Sequence, residues 1–308
     1  HHKGKLETML IYSNSFKNCL SQQYWEKLNK PAPESTLQEV ISILNNKAQY
    51  EGKRHTIFTR VGYLDKTIYF NLANEQRQVI AISANGWKIL NTSPIKFKHQ
   101  YSMKPLPLPE REGQLDLLWK HLNIAEEDRK LILAWILDCW IPYTHFPTLV
   151  LTGLQGSAKS TTQEMLRKII DPSTCSLRNA PRHSDDIAIA AANHWLVSYN
   201  NISKLSQQYQ DDLCCLATGG NFAKRKLFSN SEETSINAKR PAVLNGIINP
   251  VTSQDLISRS LIIELPCIED RQRKLESELK DSFKQDHPKI FGALLNLLAE
   301  TLKQLPTI

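Results

Sequence analysis

Apolar positions change their period twice along the 308-residue chain, and the changes divide it. Residues 9 to about 30 are polar, with little pattern. Ser35-Thr36-Leu37-Gln38 then has the form of a capped helix start, and Val40, Ile41, Ile43 and Leu44 follow at helical spacing. From Thr56 the spacing shortens to two. Ile57, Thr59 and Val61 alternate, 67–72 and 79–82 are β-rich, and Asn85-Gly86 marks a hairpin turn before Trp87-Lys88-Ile89-Leu90. These signals predict a small α+β module of helix and antiparallel sheet over 9–104, with no catalytic constellation in it. Pro105, Pro107 and Pro109 predict a stiff linker. Leu115, Leu117, Leu118 and Leu122, then Leu131, Ile132, Trp135 and Ile136, predict a helical collar, so linker and collar occupy 105–146.

From Pro147 strands and helices alternate. Leu149-Val150-Leu151 reads as a buried strand, followed by a loop and a helix over about 160–170. Further strands are predicted at 195–199, 242–245 and 261–265, which implies a mainly parallel sheet and an α/β core over 147–268. Residues 269–308 read as two helices, the second starting at Pro288.

Composition removes several classes. Hydrophobic residues at 41% and charged residues at 22% exclude a disordered chain. Lys+Arg at 38 against Asp+Glu at 31 gives +7 and a pI near 9.0, which admits a polyanionic partner without requiring one. Residues 1–8, before Met9, read as the remnant of an expression tag. The most apolar stretch, 131–152, is broken by Asp138, Pro142, His145 and Pro147, so no membrane span is expected. Cys19, Cys139, Cys175, Cys214, Cys215 and Cys267 form no CxxC pair and no Cys/His ligand spacing. Reduced thiols in a cytoplasmic protein are the simplest account.

The sharpest chemical signal is Gly153-Leu154-Gln155-Gly156-Ser157-Ala158-Lys159-Ser160, which follows a strand and opens a helix. That is the context of a phosphate loop, with backbone N–H groups facing an anion at the positive end of a helix. Lys159 would reach the β- and γ-phosphates and Ser160 would hold Mg²⁺. Gly153, Gln155, Gly156, Ser157, Ala158, Lys159, Ser160 and Thr161 are the expected contacts, and ATP and Mg²⁺ the expected ligands. Ala158 replaces the motif's second glycine, which is tolerable if that residue has helical dihedrals.

A second strand should end in an acid that polarises the attacking water. The strand at 195–199 ends instead in Asn200-Asn201. An asparagine can hydrogen-bond a metal-bound water but cannot act as a base. Asn245 tips the next strand, where it either orients a water near the γ-phosphate or simply caps the strand. Arg259 precedes the last strand, as an arginine finger serving a neighbouring subunit would, or as any surface arginine would. Gly219-Gly220 leads into Lys224, Arg225 and Lys226, flanked by Phe222 and Phe228, and Lys239-Arg240 follows Glu232-Glu233. This predicts a β-hairpin with basic legs. Cations beside aromatics suit single-stranded nucleic acid, and a solvated face is the alternative.

In order, the segments 151–161, 217–220, 240–246 and 258–266 resemble the helicase-like AAA+ ATPases of phages, plasmids and mobile elements, relatives of the superfamily-three replicative helicases. The resemblance covers nearly all of the chain past residue 35. It implies a P-loop AAA+ core over 147–268 and a helical lid over 269–308. It also implies a ring, usually hexameric, with ATP between subunits and single-stranded DNA in the channel. Lys159 and Ser160 become nucleotide ligands, Asn245 the sensor, Arg259 the finger acting in trans, and 224–240 the channel hairpin. Relatives usually carry Asp-Asn where this chain has Asn200-Asn201, so Lys159, Asn200, Asn245 and Arg259 are the expected catalytic set, with hydrolysis the step in question. Relatives often carry a primase domain toward the N-terminus. None is visible here, which points to a fragment or to a separate primase or polymerase as partner. Two functions follow: an ATP-driven helicase or translocase for a mobile element, and a nucleotide-gated DNA-binding ring or loader that hydrolyses ATP weakly or not at all.

Overall fold

The computed structural model describes residues 8–98, 100–181, 183, 185–225, 233–269, 271 and 273–305, with 221–225 and 233–237 described by backbone alone. Along the chain run α1 (Asn14–Leu28), α2 (Glu34–Glu51), β1 (Ile57–Phe58), β2 (Val61–Leu64), β3 (Thr67–Asn71), β4 (Val79–Ser83), β5 (Gly86–Leu90) and β6 (Lys96–Phe97). After them come α3 (Leu117–His121), α4 (Arg129–Asp138), β7 (Thr148–Thr152), α5 (Lys159–Ile170), α6 (Asp185–Asn193), β8 (Val197–Tyr199) and α7 (Gln207–Thr218). The run ends with β9 (Gly220–Arg225), β10 (Glu233–Ala238), β11 (Ala242–Asn245), α8 (Gln254–Ile257), β12 (Ser260–Glu264) and α9 (Glu276–Gln304).

The chain divides into two compact units. The first holds residues 1–59 and 93–100. Its α1 is capped by Ser13, whose hydroxyl accepts from the Phe16 N–H, and it buries no residue. A helix without a buried face carries no hydrophobic period, which is why 9–30 looked unpatterned. The next helix begins at Glu34 behind Pro33, not at a Ser35 cap, and buries Leu37 and Ile41. Strands β1 and β6 pair in parallel, with Phe58 opposite Phe97.

The second unit holds Arg60–Thr92 and Tyr101–Ile308. The alternation at Ile57, Thr59 and Val61 is therefore broken at Thr59, with β1 and β2 in different sheets. Strands β2 to β5 form an antiparallel meander. Asp65 and Lys66 join β2 to β3 with φ of 48° and 61°, the mirror-image geometry that suits two-residue hairpins. This meander shares one core with α4, β7, α5 and α9: Phe70, Ile80, Ile136, Trp140, Leu151, Ile169 and Phe291 belong to the same buried cluster. Trp140 packs edge-on against both Phe70 at 5.3 Å and Phe291 at 5.8 Å. Trp87 also donates its indole N–H to Asn296 on α9 at 2.7 Å.

The proline segment is packed rather than free. Leu106 is buried and its N–H donates to Leu72 at 2.9 Å, while the Glu110 N–H donates to the Pro288 carbonyl at 3.0 Å. The approach is so close that a Cβ on Gly292 would lie 1.8 Å from the Glu110 oxygen. One 29-residue helix, α9, replaces the two helices expected at the C-terminus, and Pro288 lies inside it. Proline removes one helical hydrogen bond. Phe283, His287, Ile290, Phe291 and Leu294, buried on both sides of it, hold the helix on the core nonetheless.

The expected parallel sheet forms, in the order β12-β7-β11-β8. Both faces are covered, so β7 is buried at all five positions. On the face away from the large core, Val150, Val197 and Leu244 pack against Ile187, Leu213 and Leu216. β8 starts at Val197 because the Trp195 and Leu196 N–H groups are taken by the Asp171 carboxylate, at 2.9 and 3.2 Å. Among the described residues, no helix is long and apolar enough to cross a membrane.

Candidate functional site

At the carboxyl end of β7 the chain turns through Gly153 and Gly156, at φ of 141° and 88°. A side chain at 153 would meet the Leu265 carbonyl at 2.8 Å, and one at 156 would meet the Arg273 guanidinium at 2.5 Å. Both glycines are thus required, and Arg273 overlies the turn. Leu154 and Gln155 are exposed, while Ser157 is buried and donates its hydroxyl to the Leu154 carbonyl at 2.9 Å. Ala158 does not have right-handed helical dihedrals. It sits at φ 55°, ψ 29°, the left-handed region, and this corrects the condition under which it was expected to be tolerated. The Lys159 ammonium donates to the carbonyls of Gly153 and Leu154, both at 2.8 Å, and to the Ser157 hydroxyl at 3.3 Å. Partial burial lowers its pKa. Thr161, half-buried, follows in the first turn of α5.

Because β11 lies between β7 and β8, the strand tips converge beside this loop. Ser160 donates its hydroxyl to Asn200 Oδ1 at 2.8 Å, and Asn245 donates to the same oxygen at 2.6 Å. Asn245 also donates to Gln163 Oε1 and accepts from the Asn201 N–H at 2.7 Å. Gln163, fully buried on α5, donates to the Ser198 hydroxyl at 2.8 Å and the Tyr199 carbonyl at 3.0 Å. It positions both asparagine tips, and sequence reading missed it. The available signal was a glutamine at helical spacing with Leu166 and Ile170, on the face of α5 that is buried. Asp185 and Asp186, the other acids near the strand, open α6, where Asp186 accepts from the His183 N–H at 3.0 Å.

Arg259 lies at the opposite end of the sheet. Its carbonyl accepts from the Thr148 N–H at 2.9 Å, at the start of β7. Its own loop is a strand-length away, about 13 Å at 3.3 Å per residue. The guanidinium donates to Asp255 Oδ1 at 2.7 and 3.1 Å on the surface.

The predicted hairpin forms from β9 and β10, with Lys224 opposite Thr234 and Arg225 opposite Glu233. Lys226 lies outside the described residues. Lys239 rests 5.7 Å from the centre of the Phe146 ring, and burial lowers its pKa against the pull of Asp138. Arg240, the other member of the basic pair, is held by the protein itself. It donates to the Ala191 and His194 carbonyls at 3.0 and 3.1 Å and stacks 5.1 Å from the Trp195 ring centre. Burial brings its pKa down to about 10. Its charge is directed inward, into packing.

The sequence model of the actinomycete integrative conjugative element replication proteins matches residues 115–304. The chain belongs to this family. It is a replication protein of a mobile element, with a mixed α/β fold built around a parallel sheet. A search of curated proteins finds no match. Among solved structures, the chain is similar to the apo C-terminal region of NrS-1, at TM-score 0.45 and 12% identity over 73% of this chain and 70% of that one. A second structure of that region, residues 305–718, gives TM-score 0.47 and 15% identity over 93% and 62%. JCV helicase, bound to a thiazolopyridinyl-phenoxy acetamide, gives 0.35 and 14% over 59% and 52%.

Proposed function

We propose that this replication protein is an ATP-dependent DNA helicase or translocase that works as a homo-oligomeric ring, a hexamer, on single-stranded DNA. The observation that carries the reading is the chain of contacts from the Lys159 loop through Ser160 and Asn200 to Asn245. In this reading 147–268 is a P-loop AAA+ core and 269–308 its lid. Residues 153–161 take the phosphates, and Lys159 exchanges the carbonyls of Gly153 and Leu154 for phosphate oxygens, which form stronger charge-assisted bonds. Arg273 supplies a second cation over the turn. Ser160 Oγ and the amide oxygens beside it are hard oxygen donors that fit Mg²⁺, and a metal carried on the triphosphate supplies charge neutralisation there. Asn245 orients the attacking water. Arg259, remote from its own loop, serves a neighbour. Lys224, Arg225, Lys226 and Lys239 contact DNA.

Asn200 favours a second reading, a nucleotide-gated DNA-binding ring or loader with slow hydrolysis. The group that Ser160 and Asn245 both meet is the Asn200 amide, and an amide cannot take the proton. Steady-state ATPase with and without single-stranded DNA, beside native mass measurement with nucleotide, separates the two. Turnover above about 1 s⁻¹ per subunit favours the motor. A ring with slower turnover favours the gate, and absence of nucleotide binding overturns both. Lys159→Ala should lower ATP affinity at least tenfold, about 1.4 kcal/mol. Unchanged affinity by calorimetry removes the loop from the reading.

A further inference from the structure

Ala158 stays in the left-handed region without being a glycine. An L-residue persists there only where the structure around it fixes the peptides on both sides. The peptide after Ala158 is fixed by α5, whose Thr162 N–H donates to the Ala158 carbonyl at 2.9 Å. The peptide before it is fixed from outside the loop, by a residue 34 positions ahead of Ser157. Asn123 donates its side-chain amide to the Ser157 carbonyl at 2.9 Å and to the Pro266 carbonyl, just past β12, at 2.7 Å. Its backbone N–H donates to the Thr162 hydroxyl at 3.3 Å.

Asn123 is itself held firmly. It stands between Leu122 and Ile124, both buried, and the Ile124 N–H donates to the Leu122 carbonyl at 3.0 Å, which closes a tight turn with Asn123 at its tip. The turn between α3 and α4 is thus anchored in the core, and the amide spends one donor on the loop and one on the end of β12. In a trans peptide the carbonyl and the following N–H point to opposite sides. Holding the Ser157 carbonyl toward Asn123 therefore directs the Ala158 N–H the other way, to join the N–H groups that open α5.

We infer that Asn123, which lies outside both the glycine motif and the 147–268 core, is a positioning residue for phosphate: it holds the Ser157–Ala158 peptide so that the Ala158 N–H faces the anion. It thereby lets an alanine stand where the motif has glycine. The inference rests on the phosphate-loop reading and adds to it the residue that sets the loop. Without Asn123 the peptide turns over, Ala158 leaves the left-handed region, and a carbonyl oxygen replaces a donor facing the phosphates. A glycine at 158 has no such drive, because left-handed dihedrals cost it nothing.

The experiment is calorimetry on the whole chain with two probes, ATP and inorganic tripolyphosphate, each with Mg²⁺. Asn123→Ala should weaken both by about tenfold or more, and by the same factor, since the phosphates are common to them. In the Ala158→Gly background the same substitution should weaken them by about threefold or less, a coupling between the two positions. A role in folding alone would lower the urea midpoint equally in both backgrounds and leave the affinity of the folded protein unmoved. Asn123→Ser, with one donor in place of two, makes the same comparison should the alanine variant fail to fold. Unchanged affinity in the Asn123 variants overturns the positioning role while the loop stands. A loss confined to ATP overturns it as well, and so does an equal loss with alanine and with glycine at 158. If the parent protein binds neither probe, the phosphate-loop reading falls and the inference with it.

Discussion

Two arginine–aspartate pairs of nearly equal length belong to this protein's large unit. Arg60 meets Asp171 at 2.9 Å with side chains 0% and 3% exposed; Arg259 meets Asp255 at 2.7 Å with side chains 40% and 61% exposed. The bond is the same and the setting is opposite. Around the buried pair further hydrogen bonds fix both partners. Arg60 also donates to the carbonyls of Asn71, Lys104 and Pro172, and the Asp171 carboxylate also accepts from the Trp195 and Leu196 N–H groups. That pair joins the meander, the proline segment, the end of α5 and the start of β8, and its geometry cannot change without exposing a charge to a dry interior. The surface pair lies within one turn of chain, in water, where such contacts are weak and exchange readily. Burial turns a charge into part of the wall; exposure leaves it available to a ligand. Lys159, held by carbonyls of its own loop, is of the available kind, and Arg240 is of the other.

The largest expected effect tests the available arginine. Arg259→Ala should leave ATP affinity nearly intact and lower turnover by roughly 10³–10⁵, the value of an arginine finger. Mixing it with Lys159→Ala protein should restore turnover, since one intact interface forms between a donor and an acceptor subunit. A mixture no more active than the sum of its parts ends the trans reading. Asp171→Asn is the counterpart for the wall. It leaves Arg60 and Arg167 facing an uncharged amide, and unfolding in urea should show a loss of roughly 3–5 kcal/mol. Asp255→Asn, by contrast, should leave the urea midpoint near that of the parent. Burial alone would raise the Asp171 carboxyl, but Arg60 and Arg167 outweigh it and hold it below the usual carboxylate range. Its contribution is therefore complete above the unfolded value of about 3.9 and lost as pH falls through the lower folded value. Equal urea midpoints for the two aspartate variants would dissolve the contrast.

What was legible in the sequence follows the same line. The loop, the strand tips and Arg259 are local signals: a glycine pair, a Lys-Ser at a helix start, polar residues ending apolar strands. The buried pair is not local, since 111 residues separate Arg60 from Asp171, and nothing in either neighbourhood announces the other. The inward hydrogen bonds of Arg240 were not legible either, because a charge string carries no record of what packs against it. Pro288 reads as a helix break because the core on which α9 packs comes from distant segments. The antiparallel strands were legible as strands, but their union with α9 depends on Trp87 reaching Asn296, 209 residues away.

A smaller effect concerns the neutral tips. Ser160 and Asn245 already donate to Asn200 Oδ1, so an aspartate there would accept both without rearrangement. A positioned base is worth 10²–10⁴-fold, and Asn200→Asp should raise turnover at least tenfold with ATP affinity little changed. Steady-state kinetics decides it. A neutral or harmful substitution would mean that another acid reaches the water, or that the tips are set for gating and not for hydrolysis.

The smallest effect lies in the loop that carries the available lysine. Ala158 is left-handed at φ 55°, ψ 29°, where an L-residue with a Cβ is strained by roughly 1–2 kcal/mol. Ala158→Gly removes that strain and gives back about 0.5–1 kcal/mol through the greater freedom of glycine in the unfolded chain. The two terms leave a net gain of about 0.5–1 kcal/mol in the nucleotide-free protein, measurable as a higher urea midpoint. The sign is informative beyond its size. If ATP leaves the loop as it stands, the gain is the same with and without nucleotide and affinity does not move. If ATP draws Ala158 into the right-handed helix, alanine is the better residue in the bound state, and glycine weakens ATP binding while stabilising the free protein. A lower urea midpoint for Ala158→Gly would contradict the left-handed turn itself. Since the wall of the protein is untouched by this substitution, any loss of stability would have to come from the loop.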